Sequence, residues 1–208
     1  MSVIKKLLAA CLTLLAVSSL ALTALPALAN TAPDALVRDI SNDIIDSVKA
    51  DPAIQAGDIG RIQALVDTKV MPYVNFQRMT ASAVGRHWRA ATPEQQARLQ
   101  EEFKMLLLRT YSGALTQVKE QTVQLRPFRG NPADAEVVVR TEVKGKGEPI
   151  QLDYRLEKAG DSWKIYDVNV LGVWLVEQYR SSFSAEINAG GLDGLIAKLA
   201  ERNKAAKS

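Results

Sequence analysis

The chain has 208 residues, with 26 lysines and arginines against 23 acidic residues, one histidine and one cysteine. An N-terminal leader carrying Lys5 and Lys6 takes two positive charges with it, leaving 24 basic against 23 acidic residues, a balance too even for a nucleic-acid binder. The leader also takes Cys11, so the mature chain holds neither a disulfide nor a thiolate metal site.

The leader itself is read from Lys5 and Lys6, an apolar run from Leu7 to Leu25, and the small-residue site Ala27-Leu28-Ala29. Residues 1–29 are expected to be cleaved after Ala29 and the product exported to the periplasm. Residues 30–208, which are 208 less 29 or 179 in number, make one domain of ordinary size. Leu8-Ala9-Ala10-Cys11 has the order of a lipobox, but only four apolar residues separate Cys11 from the lysines and another apolar run follows, so lipidation is not expected. After Asn30 no run of 18 apolar residues appears.

Pro33 fits the first turn of a helix whose Leu36, Val37, Ile40, Ile44, Ile45 and Val48 share a stripe, ended by Asp51-Pro52. Asp58 caps a second helix with Ile59, Ile62, Leu65, Val66 and Val70 in phase, stopped before Pro72. A third carries Val74, Phe76, Met79 and Ala83 toward Arg86-His87-Trp88-Arg89. The clearest start is Thr92-Pro93-Glu94-Gln95, with a hydroxyl at N-cap, proline at N1 and glutamine at N3. From there Leu99, Phe103, Leu106, Leu107, Tyr111, Ala114, Leu115 and Val118 hold one face to about Lys119, a rod of roughly 40 Å at 1.5 Å per residue. Gly113 inside this rod costs helix stability and suggests a close approach by ligand or strand.

The period then becomes two. Strands are expected at Thr122 to Arg126, Glu136 to Lys144, Ile150 to Leu156 and Trp163 to Val170, joined by a Pro127 to Pro132 loop and turns at Gly145-Lys146-Gly147 and Gly160-Asp161. Val137, Val139, Thr141 and Val143 share a face opposite Glu136, Arg140, Glu142 and Lys144, which gives a four-stranded antiparallel meander with one wet face. In the last strand Trp163 and Ile165 favour one face, Val168 and Val170 the other. The phase stays open there, as at a bulge. Gly172 leads into a helix phased by Leu175, Val176, Tyr179 and Phe183, and another begins near Leu192 after Gly190-Gly191. The stretch 201–208 reads as a disordered tail. The expected architecture is one α+β domain, with N-terminal helices, a curved four-stranded antiparallel sheet, and C-terminal helices enclosing an apolar cavity.

The catalytic inventory is thin. His87, between Arg86 and Trp88 at a helix C-terminus, complements the helix dipole there, and no His or Cys pair has zinc-ligand spacing. Gly190-Gly191-Leu192-Asp193-Gly194 lacks the Lys-Ser/Thr of a phosphate loop. Asp153 beside Tyr154 and Asp167 beside Tyr166 are groups a proton-shuttling isomerase uses, although strand neighbours point to opposite faces. A small-molecule isomerase or hydrolase on a cone-shaped fold stays open as an alternative, to be decided by whether a buried Asp or Glu lies within hydrogen-bond reach of Tyr154 or Tyr166. A periplasmic adaptor with a solid core is a third reading.

The apolar inventory points elsewhere. Met79, Leu106, Leu107, Tyr111, Leu115, Val139, Leu152, Tyr154, Val173, Leu175 and Tyr179 are the candidates to face one space between the long helix and the sheet, with ordinary core as the bland role of each. Arg126, Arg129, Arg140, Lys144 and Lys146, near strand ends and turns, suit either an anionic partner or a solvated face.

Two stretches are distinctive together. One runs from Met71-Pro72-Tyr73-Val74 to His87-Trp88-Arg89 and Thr92-Pro93-Glu94-Gln95. The other runs from Leu152-Asp153-Tyr154-Arg155-Leu156 through Ser162-Trp163-Lys164-Ile165-Tyr166-Asp167 to Tyr179-Arg180-Ser181-Ser182-Phe183 and Gly191-Leu192-Asp193-Gly194-Leu195-Ile196. In this order and spacing they resemble the MlaC family, periplasmic phospholipid-carrying proteins also called toluene-tolerance proteins. The resemblance implies an NTF2-like cone that carries phospholipid as cargo, needs no cofactor, and is not an enzyme. It further implies a shuttle between outer and inner membrane that helps maintain outer-membrane lipid asymmetry. The implied partners are an outer-membrane lipoprotein-porin complex and an inner-membrane ABC transporter bearing MCE domains. Where many members read Glu-Gly-Val-Ser, this chain reads Leu171-Gly172-Val173-Trp174, a departure at the expected mouth.

Overall fold

The structure, a computed structural model, describes residues 32–131 and 133–205. The leader with its expected cleavage site after Ala29 lies outside them.

Helix α1, Pro33–Ala50, has proline in its first turn, Asp34 near its N-terminus and Lys49 in its last turn, each on the side the helix dipole favours. Asp51 ends it and caps the next, accepting the N–H of Ala53 at 3.0 Å to start α2, Pro52–Gln55. Asp58 does the same for α3, Ile59–Leu65, by accepting from Arg61. The second helix of the sequence reading is shorter than expected, because Val66–Val70 widen into a π turn before the tight turn Met71–Tyr73 that Pro72 imposes. Asn75 caps α4, Phe76–Val84, and Gly85 at φ +69° breaks it. Helix α5, Pro93–Thr116, starts with the full reciprocal capping box between Thr92 and Gln95.

Five antiparallel strands follow in chain order: β1 Thr122–Leu125, β2 Glu136–Lys144, β3 Ile150–Ala159, β4 Ser162–Val170 and β5 Val173–Trp174. The sequence predicted four. The fifth arises because Leu171 and Gly172, at φ +52° and +91°, form a two-residue turn of type I′ that folds Val173 back onto Val170. The ambiguous phase of β4 is resolved by a bulge. Arg155 pairs with Asp167 and Leu156 with Ile165, so Tyr166 has no opposite residue, and Val168 and Val170 are returned to the face that holds Trp163 and Ile165. At its other end β4 is bridged by Val74, and Asn75 donates its N–H to the Ile165 carbonyl at 2.8 Å.

Helix α6, Leu175–Ala205, is two helical segments joined at Gly191, whose φ of +69° interrupts the helix where Gly190-Gly191 predicted a stop and restart. It does not fray at Glu201 as the sequence suggested. Asn203 is buried, and its side-chain amide donates to the Glu102 carbonyl at 2.9 Å, which ties the last turn to α5.

Apolar burial falls into three clusters. The first joins α4, α5 and α6 through Phe76, Met79, Phe103, Tyr179 and Phe183, with the Phe103 ring edge-on to Tyr179 at 5.0 Å and to Phe183 at 5.1 Å. The second lays Leu36, Val37 and Ile40 of α1 against Val137, Val139, Leu156, Trp163 and Ile165 of the sheet. The third gathers Val48, Ile54, Ile62, Leu65 and Leu108.

Candidate functional site

The inner face of the sheet, which α1 covers at one end, changes character along its strands. On β3 that face reads Leu156, fully buried, then Tyr154 and Leu152, half-buried, then Ile150, 43% exposed. On β4 it reads Trp163 and Ile165, buried, then Val168 and Val170, half-buried, then Val173 beyond the turn, 49% exposed. On β2, Val137, Val139 and Thr141 are buried and Val143 is half-buried. Strand register places Leu152 opposite Val170 and Tyr154 opposite Val168, so these side chains form rows on one surface. Exposure along these rows rises from none at Leu156 to 43% at Ile150, and we take this graded apolar face as one wall of a cleft that opens toward Ile150.

The opposite wall comes from the long helix. Helix α5 packs on α2, α3, α4 and α6 and not along the strands, which leaves the space between it and the sheet to side chains. Leu106, Leu107 and Tyr111 reach from it to the rim of the first cluster, half-buried, as Val168 and Val170 do from the sheet. Ile44 of α1 bridges the second and third clusters in the same half-buried state. The polar features of the cleft are few. The Tyr154 phenol lies beside the hydroxyls of Thr141 and Ser41, and burial pushes it above the ordinary range, so it stays neutral. Thr141 spends its own hydroxyl proton on the Leu152 carbonyl at 2.9 Å.

Of the eleven apolar residues singled out from sequence, Leu106, Leu107 and Tyr111 lie half-buried on α5 at the edge of the first cluster, and Leu152 and Tyr154 half-buried on the inner face of β3. Met79, Leu175 and Tyr179 are buried in the first cluster and Val139 in the second, so they back the wall instead of forming its surface. Leu115 belongs to the fringe of the third cluster, one helical turn too far along α5, and Val173 is exposed at the open end. Val168 and Val170 were missed because the alternation of β4 breaks at Tyr166. The break itself was the available signal. Gly113 was read as a site of close approach. A Cβ built there meets nothing within 4 Å, so no neighbour explains it.

The outer face carries charge. Arg78 lies between Glu136 and Glu157, with its guanidinium 3.6 Å above the Tyr166 ring, while Asn75 donates to Glu157 at 2.6 Å. This network ties α4 to the sheet. Arg155 stacks on Trp174 at 3.9 Å and pairs with Asp167 at 3.0 Å. Asp167, 1% exposed, also accepts the N–H groups of Val168 and Val176; burial still leaves its carboxyl above the usual range. Arg126, Arg129 and Arg140 rim a shallow outer depression of about 820 Å3, with Arg126 engaged by Glu142.

These arrangements do not assemble an acid-base pair. Tyr166 does donate to a carboxylate, Glu136, at 2.8 Å, but that carboxylate is about half exposed and held by Arg78. Among the described residues Tyr154 makes no hydrogen bond to a carboxylate, and the acceptor positions of Asp167 are filled by backbone and Arg155. His87 is half-buried with Arg86 Nε 3.4 Å from its Nε2. Among the described residues no group of three His, Cys, Asp or Glu could hold a metal ion, and no helix is long and apolar enough to cross a membrane.

Comparison with known proteins gives this cleft a context. The chain is similar to a phospholipid-binding protein from Ralstonia solanacearum solved in complex with a phospholipid, with a TM-score of 0.82 and 44% identity, covering 85% of this chain and 99% of that one. It is 24% identical over 168 residues to the intermembrane phospholipid transport system binding protein MlaC of Haemophilus influenzae, covering 79% of this chain and 78% of that one. It is 28% identical over 127 residues to the toluene tolerance protein ttg2D of Pseudomonas putida, covering 58% and 59% of the two chains. The family model described as MlaC protein matches residues 38–201, from the first helix to the last, and takes in both walls of the cleft. The chain belongs to the MlaC family.

Proposed function

We propose that this protein carries intact phospholipid, with the acyl chains between α5 and the inner face of the sheet and the head group at the open end near Ile150 and Val173. The observation that carries this reading is the gradient along β3, from Leu156 at 0% exposure to Ile150 at 43% on a single apolar face. The phospholipid complex of the Ralstonia relative and the name of the Haemophilus relative support it.

The energetics ask for such a cleft. At about 0.8 kcal/mol per methylene, a two-tailed lipid with roughly 30 of them costs on the order of 20 kcal/mol to expose to water. A carrier needs apolar walls and no nucleophile. The protein acts in the periplasm after cleavage following Ala29, moving phospholipid between the two membranes and so helping to maintain outer-membrane lipid asymmetry. An outer-membrane lipoprotein-porin complex and an inner-membrane MCE-domain ABC transporter are its partners, and the transporter supplies the energy for unloading, since the chain has no phosphate-loop motif of its own.

Incubation of delipidated protein with vesicles containing radiolabelled phospholipid, followed by size-exclusion chromatography, tests the reading. Label comigrating with the protein is expected. Label confined to vesicles contradicts it.

A further inference from the structure

The turn between β4 and β5 is built with the wrong residue for its shape. A two-residue type I′ turn needs positive φ at both central positions, which asparagine, aspartate and glycine tolerate and a leucine does not. Gly172 meets the requirement at +91°; Leu171, at +52°, is the one non-glycine residue with positive φ among those described. Its side chain is then 67% exposed, the largest value among the exposed large apolar residues. A local cost with no packing return marks a side chain kept for what it touches outside the fold.

Its neighbours have the same character. Leu171 donates its N–H to the Gln151 carbonyl at 3.1 Å, which sets it beside Ile150, and Val173 lies across from Val170. Ile150 and Val173 continue the rows of Leu152 and Val170 out of the cleft, so the apolar wall runs unbroken to a protruding lip.

We infer that this lip, Leu171 with Ile150 and Val173, is a membrane-contact element that dips into the interfacial region of a phospholipid bilayer when the cleft meets it. Three aliphatic side chains at the end of a sheet bury far less than the roughly 1,000 Å2 a specific protein interface needs, and they include no tryptophan, tyrosine or arginine of the kind that anchors one. Insertion among acyl chains asks only for small, convex apolar surface. Lys144 at the end of β2 and Lys146 in the adjacent turn lie near the lip, Lys144 3.9 Å from Glu142 and the well-exposed Lys146 3.4 Å from Glu120, with Glu148 in the same turn. The role rests on the phospholipid-carrier reading, because an apolar lip at the mouth gives tails a path that avoids water.

The test compares the wild-type protein with Leu171→Gly and Leu171→Glu by co-flotation with vesicles of phosphatidylethanolamine and phosphatidylglycerol, and separately measures phospholipid extracted from each purified protein. Leu171→Gly relieves the backbone, so it is expected to melt no lower than wild type while vesicle association weakens about tenfold. Leu171→Glu is expected to weaken it further, with extracted lipid unchanged in both. Equal flotation of wild type and Leu171→Gly overturns the membrane lip, including the case in which only a partner protein distinguishes them. Loss of extracted lipid from all three proteins instead strikes the carrier reading, and flotation still judges the lip.

Discussion

The Oδ1 of Asp167, near the end of β4, accepts the backbone N–H of Val176 in the first turn of α6 at 3.1 Å. The N-terminus of α6 is thereby capped by a strand residue nine positions earlier, and the same oxygen accepts from Val168 at 2.9 Å. Sheet and helix are locked at the joint that leads out of the cleft.

Asp167→Ala removes the oxygen that accepts from Val168 and Val176, and the Arg155 partner, at a position with 1% exposure. The expected loss is about 2–3 kcal/mol in urea unfolding, from a lost cap and unsatisfied N–H groups. Asp167→Asn keeps an acceptor and is expected to lose less than half as much.

Gly113→Ala is expected to stabilise the protein by about 0.5–1 kcal/mol, since alanine is the better helix former and the new methyl meets no atom within 4 Å. Thermal melts of wild type and variant check it, and a lowered melting temperature would reveal a contact at this helix face.

Glu136 supplies a pH prediction. Its carboxyl lies below the ordinary range, chiefly because Arg78 donates to it and because Tyr166 does as well. A folded pKa below the unfolded value adds stability above the unfolded pKa and loses it as pH falls through the folded one. Glu136→Gln is therefore expected to flatten the acid side of the melting-temperature profile, its deficit against wild type shrinking toward zero as the pH drops. A deficit that stays constant with pH contradicts this account.

The sequence exposed these features unevenly. The capping box at Thr92 and Gln95, the alternation of β2 and the break at Gly190-Gly191 are local, and local chemistry decides them, so each was legible from residue order. The bulge at Tyr166 was visible only as a conflict of phase, because its resolution depends on which residues of β3 lie opposite. Strand β5 is two residues long and rests on a leucine in a glycine-like conformation, which no propensity announces. For the cleft, periodicity identified inward faces without separating wall from backing: Val139 and Tyr154 lie on one face and both meet the α1 cluster, yet Val139 is fully buried and Tyr154 only half-buried. Residues 201–205 are helical against the expectation of a loose tail because Asn203, a polar residue, is what holds them to α5.

Filling the cleft tests its walls. Leu152→Trp occupies the space between β3 and α5, and Leu106→Arg places a charge among acyl chains. Both positions are half-buried, so circular dichroism is expected to remain native while bound phospholipid falls severalfold. Val139→Arg, at 1% exposure, is expected to unfold the protein instead. Full lipid retention by Leu152→Trp and Leu106→Arg would move the cargo away from these walls.

The most direct measurement is organic extraction of the exported, purified protein followed by mass spectrometry of the extract against protein concentration. The account predicts intact phospholipid in stoichiometric amount. Protein that carries none, and takes up none from vesicles after delipidation, contradicts it.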